Sequence, residues 1–217
     1  MPILENDVKE ELKRIFSDLG EKKVKIVFFK ESLNCPMCPQ LEELLNEIIS
    51  LSDGKITLEA YNRVTDSDKA KEYAVERTPA IFIENEEVKK RVVFYGTPGG
   101  YEFVSLIEAI KNISTGKVDF DEETLNNIKK IDKDVKIKVF VTPTCPYCPS
   151  AVVIAHKFAI VNEKIRSEMI EIQEYPELAS IYNVEGVPKI VINDKLHLLG
   201  AQGVSSFLDS ILKSIQN

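Results

Sequence analysis

The sequence predicts an α/β protein made of two tandem units, each a four-stranded mixed sheet with helices on both faces. Three observations predict it. A Cys-Pro-x-Cys-Pro motif occurs at Cys35, Cys38 and Pro39 and again at Cys145, Cys148 and Pro149. Tyr73, Val75, Glu76 and Pro79 recur as Tyr182, Val184, Glu185 and Pro188, at the same offset to within one residue. Around these signatures, short β-branched runs alternate with stretches of helical period, the order expected of a sheet covered by helices. Two signatures recurring in one order mark a duplication. Its junction falls between Ser114 and Asp119, which gives units at 1–116 and 117–217.

Each element follows from local pattern. Leu4, Val8, Leu12, Ile15, Phe16 and Leu19 recur every three or four residues, an amphipathic helix that Gly20 is expected to close. Lys23–Phe29 is an apolar strand leading into the Cys35 loop. Pro36 is expected to open a helix that buries Leu41, Leu44, Leu45, Ile48 and Ile49. Asp53 and Gly54 turn the chain into a strand over Lys55–Tyr61, followed by a short helix over Asp66–Tyr73. Ala80–Ile83 and Val92–Tyr95 are short strands about a polar turn at Asn85. A glycine-rich break, Gly96 to Gly100, precedes a helix using Phe103, Leu106, Ile107 and Ile110. In the second unit the corresponding helix and strands are Asp121–Ile131, Val135–Val141, Met169–Ile172, Lys189–Ile192 and Leu196–Leu199. The helix over Pro146–Val161 is apolar almost all round, so it should be more buried than its counterpart. Val204, Phe207, Leu208, Ile211, Leu212 and Ile215 share one face of the last helix.

Composition excludes several classes. Four cysteines are too few to staple 217 residues. Lysine and arginine number 28 against 35 acidic residues, and neither half is basic, so nucleic acid is not an expected partner. No apolar run reaches the ~18 residues of a membrane span, and the first residues lack a signal-peptide core. A cytoplasmic protein that does not engage membranes is expected. Abundant glutamate and lysine with scarce glutamine resemble hyperthermophile proteins.

The cysteine spacing carries the chemistry. Two cysteines at i and i+3 at a helix start lie on one side of the first turn, within bonding reach. Free backbone amides and the positive helix end favour a thiolate at the first cysteine, moving its pKa from ~8.5 toward ~7 or below. Cys35 and Cys145 are therefore read as attacking thiols, with Cys38 and Cys148 one turn deeper as resolving thiols. The rival reading is a zinc site built from both pairs. Zinc ribbons separate such pairs by about 15–20 residues, whereas here most of a repeat intervenes, and no metal or other cofactor is expected. His156 and His197 read as structural, and the Gly96–Gly100 break lacks the lysine of a phosphate-binding loop. Gly99 and Gly203 are expected to admit close backbone approach beside the sites.

A strand ending in Cys-Pro-x-Cys, a helix, and Thr78-Pro79 or Val187-Pro188 beyond it resemble a thioredoxin-fold redox unit. Cys145-Pro-Tyr147-Cys148 matches the glutaredoxin tetrapeptide. Two such units resemble the protein disulfide oxidoreductases of hyperthermophilic archaea and bacteria, a glutaredoxin-like, disulfide-isomerase-like family. The resemblance implies two sheets joined edge to edge, and a cis proline at Pro79 and Pro188 facing each attacking thiol. It further implies that Thr78 and Val187 bind an extended substrate segment through their backbone. Met37 and Tyr147, between the cysteines, are expected to touch substrate. Thioredoxins carry a buried acid on the strand before the active site; Val27–Phe29 and Val139–Val141 contain none. Water, or a distant glutamate such as Glu171, is left to handle the resolving thiol's proton.

The function expected is exchange between dithiols and disulfides of protein substrates, with a thioredoxin-reductase-like protein as a candidate electron donor. Two alternatives stand beside it: an electron carrier to a peroxidase, and a non-catalytic peptide-binding or chaperone module. The tetrapeptide, the shorter loop before Cys145 and the acidic Glu42 and Glu43 after the first site make the second site the expected stronger exchanger.

Overall fold

A computed structural model describes residues 3–216. In the first unit, α1 (Asn6–Ser17), β1 (Val24–Lys30), α2 (Cys38–Ser50), β2 (Ile56–Asn62), α3 (Ser67–Glu72), β3 (Ala80–Glu84), β4 (Val92–Tyr95) and α4 (Phe103–Thr115) follow one another. A 3-10 turn, Gly100–Glu102, leads into α4. The second unit repeats the order with α5 (Glu122–Lys129), β5 (Val135–Val141), α6 (Cys148–Val161), β6 (Ile165–Glu171), α7 (Pro176–Ile181), β7 (Lys189–Ile192), β8 (Leu196–Leu199) and α8 (Val204–Ile215). Each unit is a four-stranded mixed sheet: β1 runs parallel to β2 and antiparallel to β3, and β5 does the same with β6 and β7.

The two sheets are one. The strand order is β2-β1-β3-β4-β6-β5-β7-β8, with β4 and β6 paired in parallel from Val92↔Ser167 to Tyr95↔Ile170. The edge-to-edge joining that the family resemblance implied is therefore present. All four residues of β4 are buried, so this strand needs a neighbour on its far side to satisfy its ladder. The outer strands β2 and β8 are only partly buried and carry polar residues such as Glu59 and His197. Helix α6 packs on β5 and β6 and also against α4 of the first unit, which explains its apolar circumference.

Several boundaries differ from the sequence reading. Both cysteine helices begin at the second cysteine, two residues after Pro36 and Pro146, because a turn closes first: the Cys38 and Cys148 amides donate to the carbonyls of Cys35 and Cys145 at 3.2 and 3.4 Å. Strand β6 starts at Ile165, not Met169. Its early polar residues are satisfied internally, Ser167 by His156 Nδ1 at 2.8 Å and Glu168 by Arg166 Nε at 2.7 Å. Helix α1 ends at Ser17, so Gly20 does not close it. A Cβ at Gly20 would lie 2.5 Å from the Ser114 carbonyl, and glycine is there to let the end of α4 pass. Close approach beside the sites falls on Gly96 and Gly100 rather than on Gly99 and Gly203. Added Cβ atoms at the first two would meet Glu171 Cβ at 2.7 Å and the Pro143 carbonyl at 2.3 Å.

Candidate functional site

The two cysteine pairs sit at equivalent places. Each lies between the C-terminal end of a central strand, β1 or β5, and the start of the helix behind it. Both pairs are disulfide-bonded, with Cα atoms 5.3 Å apart for Cys35–Cys38 and 5.5 Å for Cys145–Cys148. Pro39 and Pro149 occupy the first helical turn, where their missing amide costs nothing. The Cys38 and Cys148 amides close the preceding turn, so what the helix start offers a sulfur anion is chiefly its positive dipole end. Cys35 and Cys145 are 5% and 7% exposed, Cys38 and Cys148 2% and 0%, so an approaching group meets the first cysteine of each pair.

At the same end of the sheet as each pair, where Ala80 pairs with Phe29 and Lys189 with Phe140, is a proline loop with a cis peptide bond, Thr78–Pro79 in the first unit and Val187–Pro188 in the second. The Pro79 carbonyl accepts from the Gly96 amide and from the Tyr175 hydroxyl, both at 3.0 Å. The Pro188 carbonyl accepts from the Gly200 amide at 2.8 Å. The Thr78 hydroxyl donates to Glu31, which also accepts from Arg63 Nε in a short ion pair and from Asn34. Burial works against the charge of Glu31, yet the Arg63, Thr78 and Asn34 donors hold its carboxyl below the usual range. Met37 is half-buried, whereas Tyr147 is 69% exposed.

Register shows that the loops before the cysteines are closer in length than the sequence suggested. Phe29 pairs with Ala80, just after Pro79, and Phe140 pairs with Lys189, just after Pro188. Phe29 and Phe140 are thus equivalent, and the first loop is longer by a single residue. The charge argument at the first site also changes. Glu42 is bound through both oxygens by Lys30, at 2.6 Å each, so its charge is largely matched.

Three further buried titratable groups have environments that bear on the sites. Glu171 has its carboxyl pushed up by burial, but its oxygens accept the Gln173 and Glu174 amides at 3.0 and 2.7 Å and so fix the turn into α7. His156 is driven by burial to a pKa of about 3; it packs edge-on against Phe94 and serves as a neutral core residue. Glu102, which sequence reasoning passed over, is 1% exposed, and burial raises its pKa to about 7 against a hydrogen bond from the Ser105 hydroxyl. Its Oε1 has no partner among the described residues. The 3-10 turn that carries it packs on α6, and the neighbouring Tyr101 amide donates to the Pro143 carbonyl in the loop leading to Cys145. No signal in the local sequence distinguishes Glu102 from a surface acid at a helix start. Among the described residues, no group of three or more histidine, cysteine or acidic side chains is placed to hold a metal, and no helix is long and apolar enough to cross a membrane.

Comparison with known proteins gives a consistent picture. A thioredoxin domain family model matches residues 22–108 and 135–213. A protein disulfide oxidoreductase from Aeropyrum pernix superposes with a TM-score of 0.89 at 30% identity, covering 98% of this chain and 94% of that one. AhpF, an alkyl hydroperoxide reductase component of Enterococcus faecalis, superposes with a TM-score of 0.87 at 27% identity, over 96% of this chain and 99% of that one. By sequence, the chain is 26% identical to the corresponding alkyl hydroperoxide reductase component of Staphylococcus aureus over 96% of its own length, but spans only 38% of that relative.

Proposed function

Because the chain belongs to the thioredoxin-domain family, in a two-unit form similar to a protein disulfide oxidoreductase, we propose that it exchanges dithiols and disulfides in protein substrates through both of its cysteine pairs. The observation that carries this reading is the repetition, in both units, of a disulfide-bonded Cys-x-x-Cys at a helix start, with a proline loop at the same end of the sheet.

In the reducing direction, the thiolate of Cys35 or Cys145 attacks one sulfur of a substrate disulfide. A bond forms between the two sulfurs, the substrate disulfide breaks, and the departing substrate sulfur takes up a proton. The thiolate of Cys38 or Cys148 then attacks the first cysteine, closing the protein's own disulfide and releasing the second substrate thiol. Two electrons pass to the substrate, so each turnover leaves an oxidised pair that a thioredoxin-reductase-like donor resets. Oxidation of substrate is the same sequence in reverse. Thr78 and Val187 pair with the substrate backbone, and Met37 and Tyr147 touch its side chains. Glu102 is the candidate acceptor for the resolving thiol's proton at the second site: its 3-10 turn packs on α6, the helix that begins at Cys148, and burial brings its pKa to about 7. The reading assigns the chain to the cytoplasm and puts the unit boundary at Gly116, whose left-handed backbone (φ 66°) ends α4.

Serine substitutions test the roles. Cys35→Ser and Cys145→Ser are expected to abolish turnover at their own sites. Cys38→Ser and Cys148→Ser are expected to accumulate mixed disulfides with substrate, detected by non-reducing electrophoresis and mass spectrometry. Faster alkylation of Cys38 or Cys148 than of their partners in the reduced protein would reverse the assignment. The similarity to AhpF favours a second reading, electron delivery to a peroxidase. Rapid oxidation of the reduced chain by a peroxiredoxin disulfide, with slow reduction of insulin, would select it.

A further inference from the structure

The two proline loops are equivalent in sequence but are held differently, and the sheet order explains why. Pro79 lies next to β4, which is covered on its far side by β6, so the loop between β6 and α7 lies over it. Pro188 lies next to β8, the free edge of the sheet. From that second-unit loop, Tyr175, 5% exposed, donates its hydroxyl to the Pro79 carbonyl at 3.0 Å. The Arg77 guanidinium, one residue before Thr78, stands 5.7 Å over the same ring, and Glu174 accepts the Thr97 amide at 2.6 Å. From the other side, Glu31 ties the Thr78 hydroxyl to Arg63 on the far side of the site. Register places Thr142 where the first unit has Glu31, and Val187 where it has Thr78, so neither link can form at the second site. Among the described residues, the Pro188 carbonyl accepts from Gly200 alone.

We propose that Glu31 and Tyr175 are positioning residues of the first site, one from each unit, which preset the Thr78–Pro79 backbone for pairing with an extended peptide. The proposal rests on the function inferred above and names the substrate class of its first site: disulfides flanked by extended backbone. An edge fixed before binding loses less freedom when a peptide pairs with it, so the gain appears in substrate binding rather than in the sulfur chemistry. The first site thus depends on the second unit for its geometry, whereas the second site's proline loop stands on its own.

The test isolates each site by replacing the other pair with serines and introduces Tyr175→Phe or Glu31→Gln. In the first-site background, KM for a disulfide-linked peptide is expected to rise about 3- to 10-fold, the range for one lost hydrogen bond, while kcat stays within about 2-fold. KM for a small disulfide without a peptide backbone should not move, nor should any constant in the second-site background. Hydrogen–deuterium exchange supplies a readout that does not depend on activity: amides of segment 76–81 should exchange faster in both variants, and those of 185–190 at the wild-type rate. Equal effects at both sites, or unchanged exchange in segment 76–81, would overturn the proposal. Failure of both backgrounds to reduce any disulfide would refute the oxidoreductase reading, and the exchange measurement would still decide the positioning.

Discussion

Glu102 can ionise only by placing a charge among α4, α6 and the sheet, out of reach of water, and burial accordingly moves its pKa from 4.5 to about 7. The sign of its contribution follows. Below about pH 4 the group is protonated whether the chain is folded or not, and it has no effect. As pH rises from 4.5 to 7 the unfolded chain loses the proton first, and the fold is weakened by an amount that saturates above pH 7 at about 3 kcal/mol. Glu102→Gln is therefore expected to raise the thermal midpoint at pH 8 and leave it nearly unchanged at pH 4. The same variant should remove an inflection near pH 7 from the rate profile of the isolated second site, with the first-site profile unaltered. Gain of stability without change in the rate profile would leave Glu102 a core residue with no part in exchange. The cysteine pairs stood out because their spacing recurs in both repeats, and Pro79 and Pro188 because the family resemblance pointed to them. Glu31, Glu102 and Tyr175 were not, since each acquires its role from a partner remote in sequence: Thr78, α6 and Pro79.

The helices that carry the two cysteine pairs differ in what surrounds them. Helix α2 has polar residues Gln40, Glu43 and Asn46 on its outer side, whereas α6 packs both on the sheet and against α4, with Ala151, Val152, Ala155, Phe158 and Ala159 all fully buried. Fixed amides stabilise a leaving thiolate without reorganising, so the exchange step itself is expected to be faster at the second site. Removing both second-site cysteines should then cost more insulin-reducing activity than removing both from the first; the opposite result would show that rigidity of the helix start does not control the rate. The pairing of Lys30 with Glu42 withdraws that residue from the acidic-repulsion argument, which leaves helix burial and the tyrosine of the tetrapeptide to carry most of the expectation. Nor does a better preset peptide edge at the first site contradict it, because that edge acts on KM and the helix start on the sulfur chemistry. Periodicity located the longer helices and strands whose polar residues face water, but gave no bounds for the short α7. It misplaced the start of β6, where Ser167 and Glu168 are buried, because a polar residue satisfied inside the core looks the same in sequence as one in solvent.

At the scale of the whole molecule, the repeat announced two units, but not that they share a core. On one face of the sheet, a single buried apolar cluster runs from Leu12 and Phe16 through Ile110 and Phe158 to Ile211. On the other face, Phe29, Phe82 and Tyr95 of the first unit pack in one cluster with Phe140, Ile170 and Tyr175 of the second. The β4–β6 ladder runs between them. Unfolding either unit alone would bare the fully buried strand β4 or the buried face of β6, and strip α6 from α4, so each half loses burial when the other opens. With both disulfides intact, thermal unfolding is therefore expected as one transition, in which the van't Hoff and calorimetric enthalpies agree at about 150 kcal/mol near 60 °C. Independent units would instead give a van't Hoff enthalpy near half the calorimetric one, about 75 kcal/mol. Chelators should leave the transition in place, because the apolar clusters, not a shared ion, join the halves. Two resolved transitions would mean that the junction contributes less than the cores on either side, and the dependence of the first site on Tyr175 would then fade at the temperature where the second unit melts.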